Sequence, residues 1–333
     1  MKNKTTTLSD IAKATGFSAN TVSHALNDKP DISEKTKALI KKTAEKMGYI
    51  ANSSASFLRS GKSKSIAIIV PDITNPHFSV VIKEIEGLLR EKGYTAYIMN
   101  TDENPETEKQ AIISAKSKNT DGIIISPTQK SYENIDFLER LEIPFVLLGR
   151  RFKGKENNYV ICNDENSGYL AGKYLLEKGH KDIIFLNAPL CISSAKERLS
   201  GVKKAFKEKG NSFSNVFELA PADNYDKMQE ILSAQKGYTA LICFSDLFAM
   251  QAISILKEMD KKVPEDVSVI GFDDILSRFK FPLGLTSLSS KKSTMAKETV
   301  NILIDILENN NSAKVKKILE TKIIERKTVQ SID

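Results

Sequence analysis

The chain has no tryptophan, three histidines and three cysteines among 333 residues, and only 7% of it is aromatic. Each scarcity removes a class of function. Cys162, Cys191 and Cys243 are odd in number and far apart, so they suit neither a disulfide framework nor a paired Cys-x-x-Cys metal site. They read as thiols kept reduced in a cytoplasm. No run approaches the roughly 18 apolar residues that a membrane helix needs, and the opening MKNKTTTLSD lacks the apolar segment of a secretory signal. There is no Gly-x-Gly-x-x-Gly and no Gly-x-x-x-x-Gly-Lys-[Ser/Thr], so no phosphate cradle announces a nucleotide fold. His180, in Glu-Lys-Gly-His-Lys, falls in a helix-to-strand turn and reads as structural. His77 lies where it could touch a ligand in a cleft, but it has no Ser or Cys partner at a sharp strand–helix turn. Ser193-Ser-Ala-Lys196 fits the Ser-x-x-Lys pattern of acyl-transfer enzymes, but the motifs that accompany it are missing. No catalytic residue, metal ligand or cofactor is expected, and the chain is not read as an enzyme.

What is present is an uneven distribution of charge. Up to Lys64 there are twelve Lys/Arg against five Asp/Glu, and the whole chain has 49 against 42, which leaves 37 of each beyond that point. All of the net charge of +7 therefore sits in the first fifth of the chain. A basic end on a neutral body predicts that one part meets a polyanion and the other does something else.

The basic end has the pattern of a helix-turn-helix. Leu8, Ile11 and Ala12 recur at helical spacing, Gly16 supplies a turn, and Phe17 plugs the space between two helices. Ser18 caps a second helix, Ala19 to Asn27, whose inward face is Val22, Ala25 and Leu26. That arrangement turns Ala19, Asn20, Thr21, Ser23 and His24 outward, a short polar face that suits a major groove. Asn can there pair with adenine through two hydrogen bonds. The plain alternative is an ordinary helical hairpin with a polar surface. A third helix starts at Ser33, with Thr36, Lys35, Lys37, Lys41 and Lys42 able to hold phosphates and Ala38, Leu39, Ala44 and Met47 closing the core.

The run from Leu8 to Lys64 resembles the headpiece of LacI/GalR-type transcription regulators: LSDIA, then GFSANTVSHALN, then GYIANSSA. The resemblance implies that Ala19, Asn20 and His24 read bases. It makes Ser18, Thr21, Ser23, Asn27, Ser33 and Thr36 phosphate contacts, with Thr7, Leu8, Tyr49 and Asn52 completing the DNA-facing set. Asn52 to Ser60 resembles the family's hinge helix, which folds when two copies meet on operator DNA. There Leu58 would wedge into the minor groove with Ala55 beside it. Read without the resemblance, the Ser-rich stretch is a linker. His24 stands where many members have Arg, and Ala51 replaces the common Pro before the hinge; both put the operator sequence in question.

The body reads as a parallel α/β architecture. Apolar strand-like runs at Ser65–Pro71, Thr95–Met99, Gly122–Ser126, Pro144–Leu148, Asp182–Leu186, Ala240–Phe244 and Val267–Phe272 alternate with helical patterns. The helices fall at Val80–Lys92, Glu106–Lys118, Gly168–Lys178, Ala195–Lys209 and Leu247–Met259. The family resemblance continues through VPDITNPHF, DGIIISP, IPFVLLGRR, SSAKERLSGV, FSDLFAMQAI and VPEDVSVIGFDD. It implies the two-lobed, periplasmic-binding-protein-like effector domain, with the chain crossing between lobes near residues 162, 289 and 321 and ILETKIIERKTV as the last strand. The expected organisation is a headpiece over 1–51, a hinge over 52–62, an N-terminal lobe from 63–162 with 290–320, and a C-terminal lobe from 163–289 with 321–333. No heptad tail follows, so a homodimer is expected.

By the same resemblance the effector cleft takes Phe78 as a stacking ring, Arg198 as a fork onto hydroxyls or a carboxylate, and Asp273 as an acceptor. Asp246 lies at the mouth, and Pro76, Tyr225 and Ser245 complete the set. Gly149 and Ser245 stand where the family often has Asp and Asn. An arginine, two carboxylates and a ring suit a sugar. The expected function is an operator-binding repressor, with no membrane partner, whose DNA affinity a small molecule controls. The alternatives are a sugar receptor without DNA activity, or a regulator activated by a nucleobase or a phosphorylated corepressor. The basic headpiece speaks against the receptor.

Overall fold

Polar caps delimit the first three helices of the chain, seen here in a computed structural model that describes residues 6–50, 61–220, 224–278, 284–309 and 311–332. Thr7 and Asp10 form a reciprocal capping box at the start of α1 (Leu8–Thr15), and Gly16, at φ 75°, ends it. Ser18 caps α2 (Ala19–Leu26) and Ser33 caps α3 (Glu34–Lys46). Ile11, Val22, Ala25, Ile40 and Ala44 form the buried core of this unit, with Phe17, Met47 and Tyr49 packed against it. Two expectations are corrected. The buried face of α3 runs through Lys37, Ile40 and Ala44, so Ala38 is exposed and Leu39 is 50% exposed. Positions 37, 40 and 44 are spaced three and four apart and share one helix face, which excludes 38 and 39. Lys37 is tolerated there because its stem packs inward while its ammonium reaches Glu34 at 2.8 Å.

Contacts divide the chain into two units, Met1–Ser63 and Lys64–Asp333. The second is built on two six-stranded sheets. The first sheet comprises β1 (Ser65–Val70), β2 (Thr95–Asn100), β3 (Gly122–Ile125), β4 (Phe145–Leu148), β5 (Tyr159–Cys162) and β11 (Lys316–Leu319), in the order β11-β5-β4-β3-β1-β2 and all parallel. Its helices are α4 (Pro76–Glu91), α5 (Pro105–Ser117) and α6 (Glu133–Arg140). The second comprises β6 (Ile183–Asn187), β7 (Val216–Glu218), β8 (Ala240–Cys243), β9 (Ser268–Asp273), β10 (Thr286–Ser289) and β12 (Ile323–Ile324), in the order β12-β10-β9-β8-β6-β7. Only β12 runs antiparallel.

The chain leaves the first sheet after β5. It lays down α7 (Asp164–Glu177), α8 (Ser193–Glu208), α9 (Tyr225–Ala234) and α10 (Asp246–Glu258) with the second sheet, and returns through α11 (Lys292–Asn309). Met295, Ala296, Val300 and Leu303 of α11 are buried in the core of the first sheet. The stretch read as one last strand is two, because Lys316–Leu319 pairs with β5 and Ile323–Ile324 pairs with β10 of the other sheet. Several helices start before their apolar periodicity does. Asn75 and Asn104 accept backbone hydrogen bonds ahead of a Pro at the first turn, and Asn163 and Ser245 cap α7 and α10.

Helices α7 and α8 approach backbone to backbone at two glycines. A Cβ on Gly168 would lie 1.9 Å from the Arg198 carbonyl oxygen, and one on Gly201 would lie 1.9 Å from that of Glu165. The Gly201→Ala variant should lose about 1–3 kcal/mol or more of body stability, as overpacked cores do. The control is Gly87→Ala in α4, where a Cβ meets nothing within 4 Å and helix propensity alone favours Ala. Thermal melting of the two variants checks this; equal midpoints would contradict the close approach.

Candidate DNA-reading face and effector cleft

On α2, Ala19 and Asn20 are exposed and Thr21 and His24 are half-buried. Ser18 Oγ accepts from the Thr21 backbone N–H at 3.0 Å and lies 2.9 Å from Thr21 Oγ1. Ser33 and Thr36 repeat the arrangement at the start of α3. Thr7 Oγ1 donates to Asp10 Oδ2, while Leu8 and Tyr49 pack partly against the headpiece core. Ser23 does not face outward: it is buried, because it follows Val22 round the inner edge of the helix. Asn27 is committed to the end of α2, its Nδ2 donating to the Ser23 carbonyl at 2.7 Å. Asn52, Ala55 and Leu58 lie outside the described residues.

In the body, the carboxyl ends of both sheets converge on a cavity of about 80 Å³, room for several water molecules. The first sheet contributes Ser126, Gly149 and Arg150 after its strands, with His77 and Phe78 from α4. The second contributes Phe244, Ser245 and Asp273, with Ser194 and Arg198 from α8. Such a strand-end crevice is where open α/β sheets bind ligands.

Arg198 is the centre of this site. Its Nε donates to Asp164 Oδ1 at 2.8 Å, Nη1 donates to the Phe244 carbonyl, and Nη2 lies 3.8 Å from Asp273 Oδ1. Its guanidinium lies 4.9 Å from the Phe244 ring centroid and 4.5 Å from that of Phe272, within cation–π range. Asp273 has φ 102°, a strained backbone for a residue with a Cβ. Ser290 Oγ and Lys292 Nζ hold it by donating to its carbonyl.

Two buried polar atoms lining the cavity have no hydrogen-bond partner among the described residues: Ser126 Oγ and His77 Nδ1. The His77 nitrogen is 3.6 Å from Asp273 Oδ1, too far for a hydrogen bond. Burial pushes the His77 pKa down, against the opposing pull of Asp273. Sequence reading set His77 beside the cleft, able to touch a ligand, and did not name Ser126. The available signal was position, since Ser126 ends the DGIIIS strand on the ligand-facing edge of the sheet.

Three expected effector residues lie elsewhere. Pro76 is the first residue of α4 and does not line the cavity, although Asn75 and His77 do. Tyr225 opens α9, and its hydroxyl is bound to Glu258 at 2.7 Å. Asp246 is fully buried, accepting from the Ile275 N–H at 2.8 Å and the Ser287 hydroxyl at 2.6 Å. It fits beneath β9 because Gly271 leaves room, a Cβ there falling 2.3 Å from Asp246 Oδ1. Ser245 does line the cavity, but its Oγ accepts from the Phe248 N–H as an N-cap. Gly149 has φ 70°, which favours glycine over the Asp common at this place.

The lobes meet at a polar seam beside the cavity. Ser193 N–H donates to Gln129 Oε1 at 2.8 Å, and Arg151 Nη2 donates to Glu197 Oε1 at 2.8 Å. Arg150 is turned inward onto Glu103 and the Pro127 carbonyl.

A headpiece with a helix-turn-helix face, joined to a two-lobed body with a ligand cleft, defines a DNA-binding regulator that senses a small molecule. Comparison with known proteins agrees. A family model described as bacterial regulatory proteins, lacI family, matches residues 7–52, and one for a periplasmic binding protein-like domain matches residues 173–329. The HTH-type transcriptional repressor PurR of Histophilus somni is 30% identical over 98% of this chain and 99% of its own. That of Pasteurella multocida is 31% identical over 98% and 99%. The lac repressor dimer bound to operator and the anti-inducer ONPF has the same fold, with a TM-score of 0.86 at 22% identity, covering 98% of this chain and 100% of that one. A LacI-type regulator from Alkaliphilus metalliredigens complexed with D-xylulofuranose has a TM-score of 0.71 at 26% identity, covering 80% and 100%. The chain belongs to the LacI family of bacterial transcriptional regulators. Among the described residues no helix is long and apolar enough to cross a membrane.

Burial, then repulsion from Asp273, pushes the Asp246 carboxyl up to about 8. The unfolded chain holds such a carboxyl at about 3.9. The folded state therefore favours the protonated form, and its stability falls as pH rises between those two values, by up to about 1.4 kcal/mol per pH unit. Asp246→Asn removes this loss, so the variant should gain on the wild type in melting temperature between pH 5 and pH 8. Parallel melting curves across that range would contradict the assignment.

Proposed function

We propose that this regulator is a cytoplasmic homodimeric repressor, not an enzyme, whose cleft takes a neutral sugar that alters operator affinity. The observation that carries the effector reading is the pair of unpartnered atoms, Ser126 Oγ and His77 Nδ1, buried in a cavity shared with Asp273 and the Phe78 and Phe244 rings. Buried polar atoms are almost always hydrogen-bonded, and hydroxyl groups of a ligand would complete them. The rings offer apolar faces, and Asp273 and Arg198 Nη2 offer an acceptor and a donor for neighbouring hydroxyls. Charge favours a neutral ligand: Arg198 is engaged by Asp164 and Arg150 by Glu103. A phosphorylated effector would have to break one of these pairs.

At the headpiece, α2 enters a major groove with Ala19, Asn20 and His24 toward the bases. Ser18, Thr21, Ser33 and Thr36 face phosphates. The minor-groove role of Leu58, with Asn52 and Ala55, rests on sequence resemblance. Dimerisation is supported by the edge strand β2, which exposes Tyr97 at 41% and Ile98 at 44%. Closure of the lobes across the Gln129–Ser193 and Arg151–Glu197 contacts would shift the chain entering the hinges.

A thermal-shift screen of sugars and nucleosides tests the reading, because a ligand held by the folded cleft raises the melting temperature by mass action. We expect a sugar to do so, and the Asp273→Ala variant to lose that response while keeping operator affinity. A shift given only by nucleosides, or an undiminished sugar shift in the variant, would overturn it.

A further inference from the structure

His24, on the outward face of α2, is not free to choose its orientation. Its Nδ1 lies 2.6 Å from Asp31 Oδ2, across the loop that joins α2 to α3. The loop is tied down separately, by Lys41 Nζ donating to Asp28 Oδ1. The hydrogen bond from His24 holds the Asp31 carboxyl below its ordinary range. An ionised carboxylate has no proton to give, so the proton shared by the pair belongs to Nδ1. That leaves Nε2 as the ring atom available to a ligand, in an orientation set by Asp31.

We propose that Asp31 is a positioning residue for base recognition: by taking the Nδ1 proton it fixes the ring and the nitrogen that His24 presents to a base edge. The inference rests on the reading of α2 as the groove-entering helix. It explains a feature that otherwise works against DNA binding. Asp31 is exposed, with 55% of its side chain accessible, on a basic unit that meets a polyanion. A carboxylate there weakens attraction to phosphates at every sequence. A fixed imidazole would add discrimination at one base pair, where a good contact is worth about 1–3 kcal/mol. Removing Asp31 should therefore move two quantities in opposite directions, which loss of a merely structural contact would not do.

The test uses the full-length protein and a random duplex library. The wild type, His24→Ala, Asp31→Ala and Asp31→Asn are each carried through selection, and the resulting sites are compared in shift assays against unrelated duplex. If the wild type selects no motif, the reading of the headpiece fails and the inference with it. Given a motif, His24→Ala should lose preference at one base pair in each half-site. Asp31→Ala should lose it at the same pair, by roughly 5- to 150-fold in discrimination, while binding unrelated duplex more tightly than the wild type. Asp31→Asn, which keeps an acceptor for Nδ1–H, should retain the preference. Three results would overturn the proposal: Asp31→Ala keeping the wild-type preference at that pair, Asp31→Ala weakening all duplexes evenly, or His24→Ala losing no position.

Discussion

A buried guanidinium has to be answered on every side, because an unpaired charge in a protein interior costs several kcal/mol. Arg198 sets that constraint here. Asp164 answers it from the start of α7, the Phe244 carbonyl from the end of β8, Asp273 from the end of β9, and the Phe244 and Phe272 rings at cation–π distance. Asp164 can reach because Gly168 and Gly201 let α7 and α8 touch along their backbones. Asp273 stands in a strained conformation that Ser290 and Lys292 maintain. The second lobe is therefore assembled around one charge, with a single Nη2 left beside the cavity.

That arrangement separates the work of the two lobes. The second lobe supplies Arg198 and Asp273, while the first supplies His77, Phe78 and Ser126, two of them with unanswered polar atoms. A ligand that answers those atoms while touching Asp273 binds both lobes at once. Such a ligand would thereby stabilise the seam at Gln129, Ser193, Arg151 and Glu197. Coupling between two sites through such a closure typically amounts to about 1–3 kcal/mol.

Much of this was legible in the sequence, and the reasons are local. Caps at Ser18 and Ser33, the turn glycine Gly16, and continuous apolar runs such as SIAIIV are short-range signals that survive folding unchanged. Arg198, Phe78 and Asp273 were found because they stand in motifs. The misplacements have longer-range causes. Asp246 sits in the same motif as Ser245, yet its carboxyl turns under β9 because of a glycine 25 residues later in the chain, at Gly271. Tyr225 is claimed by Glu258 on another helix. Ser23 is one step round the helix from its expected face, a difference that outward and inward patterns in an eight-residue helix resolve poorly. Short strands such as β7, β11 and β12 owe their pairing to the sheet and not to their own composition.

In the function proposed above, one molecule links a cleft in the body to DNA affinity in the headpiece. Linkage makes that coupling reciprocal: whatever factor the effector applies to operator binding, the operator must apply to effector binding. The most direct test measures the operator Kd with and without a saturating sugar that raises the melting temperature, and the sugar Kd with and without operator. A change of several-fold or more is expected in each, equal in size. A sugar that binds the cleft yet leaves operator affinity unchanged would contradict it.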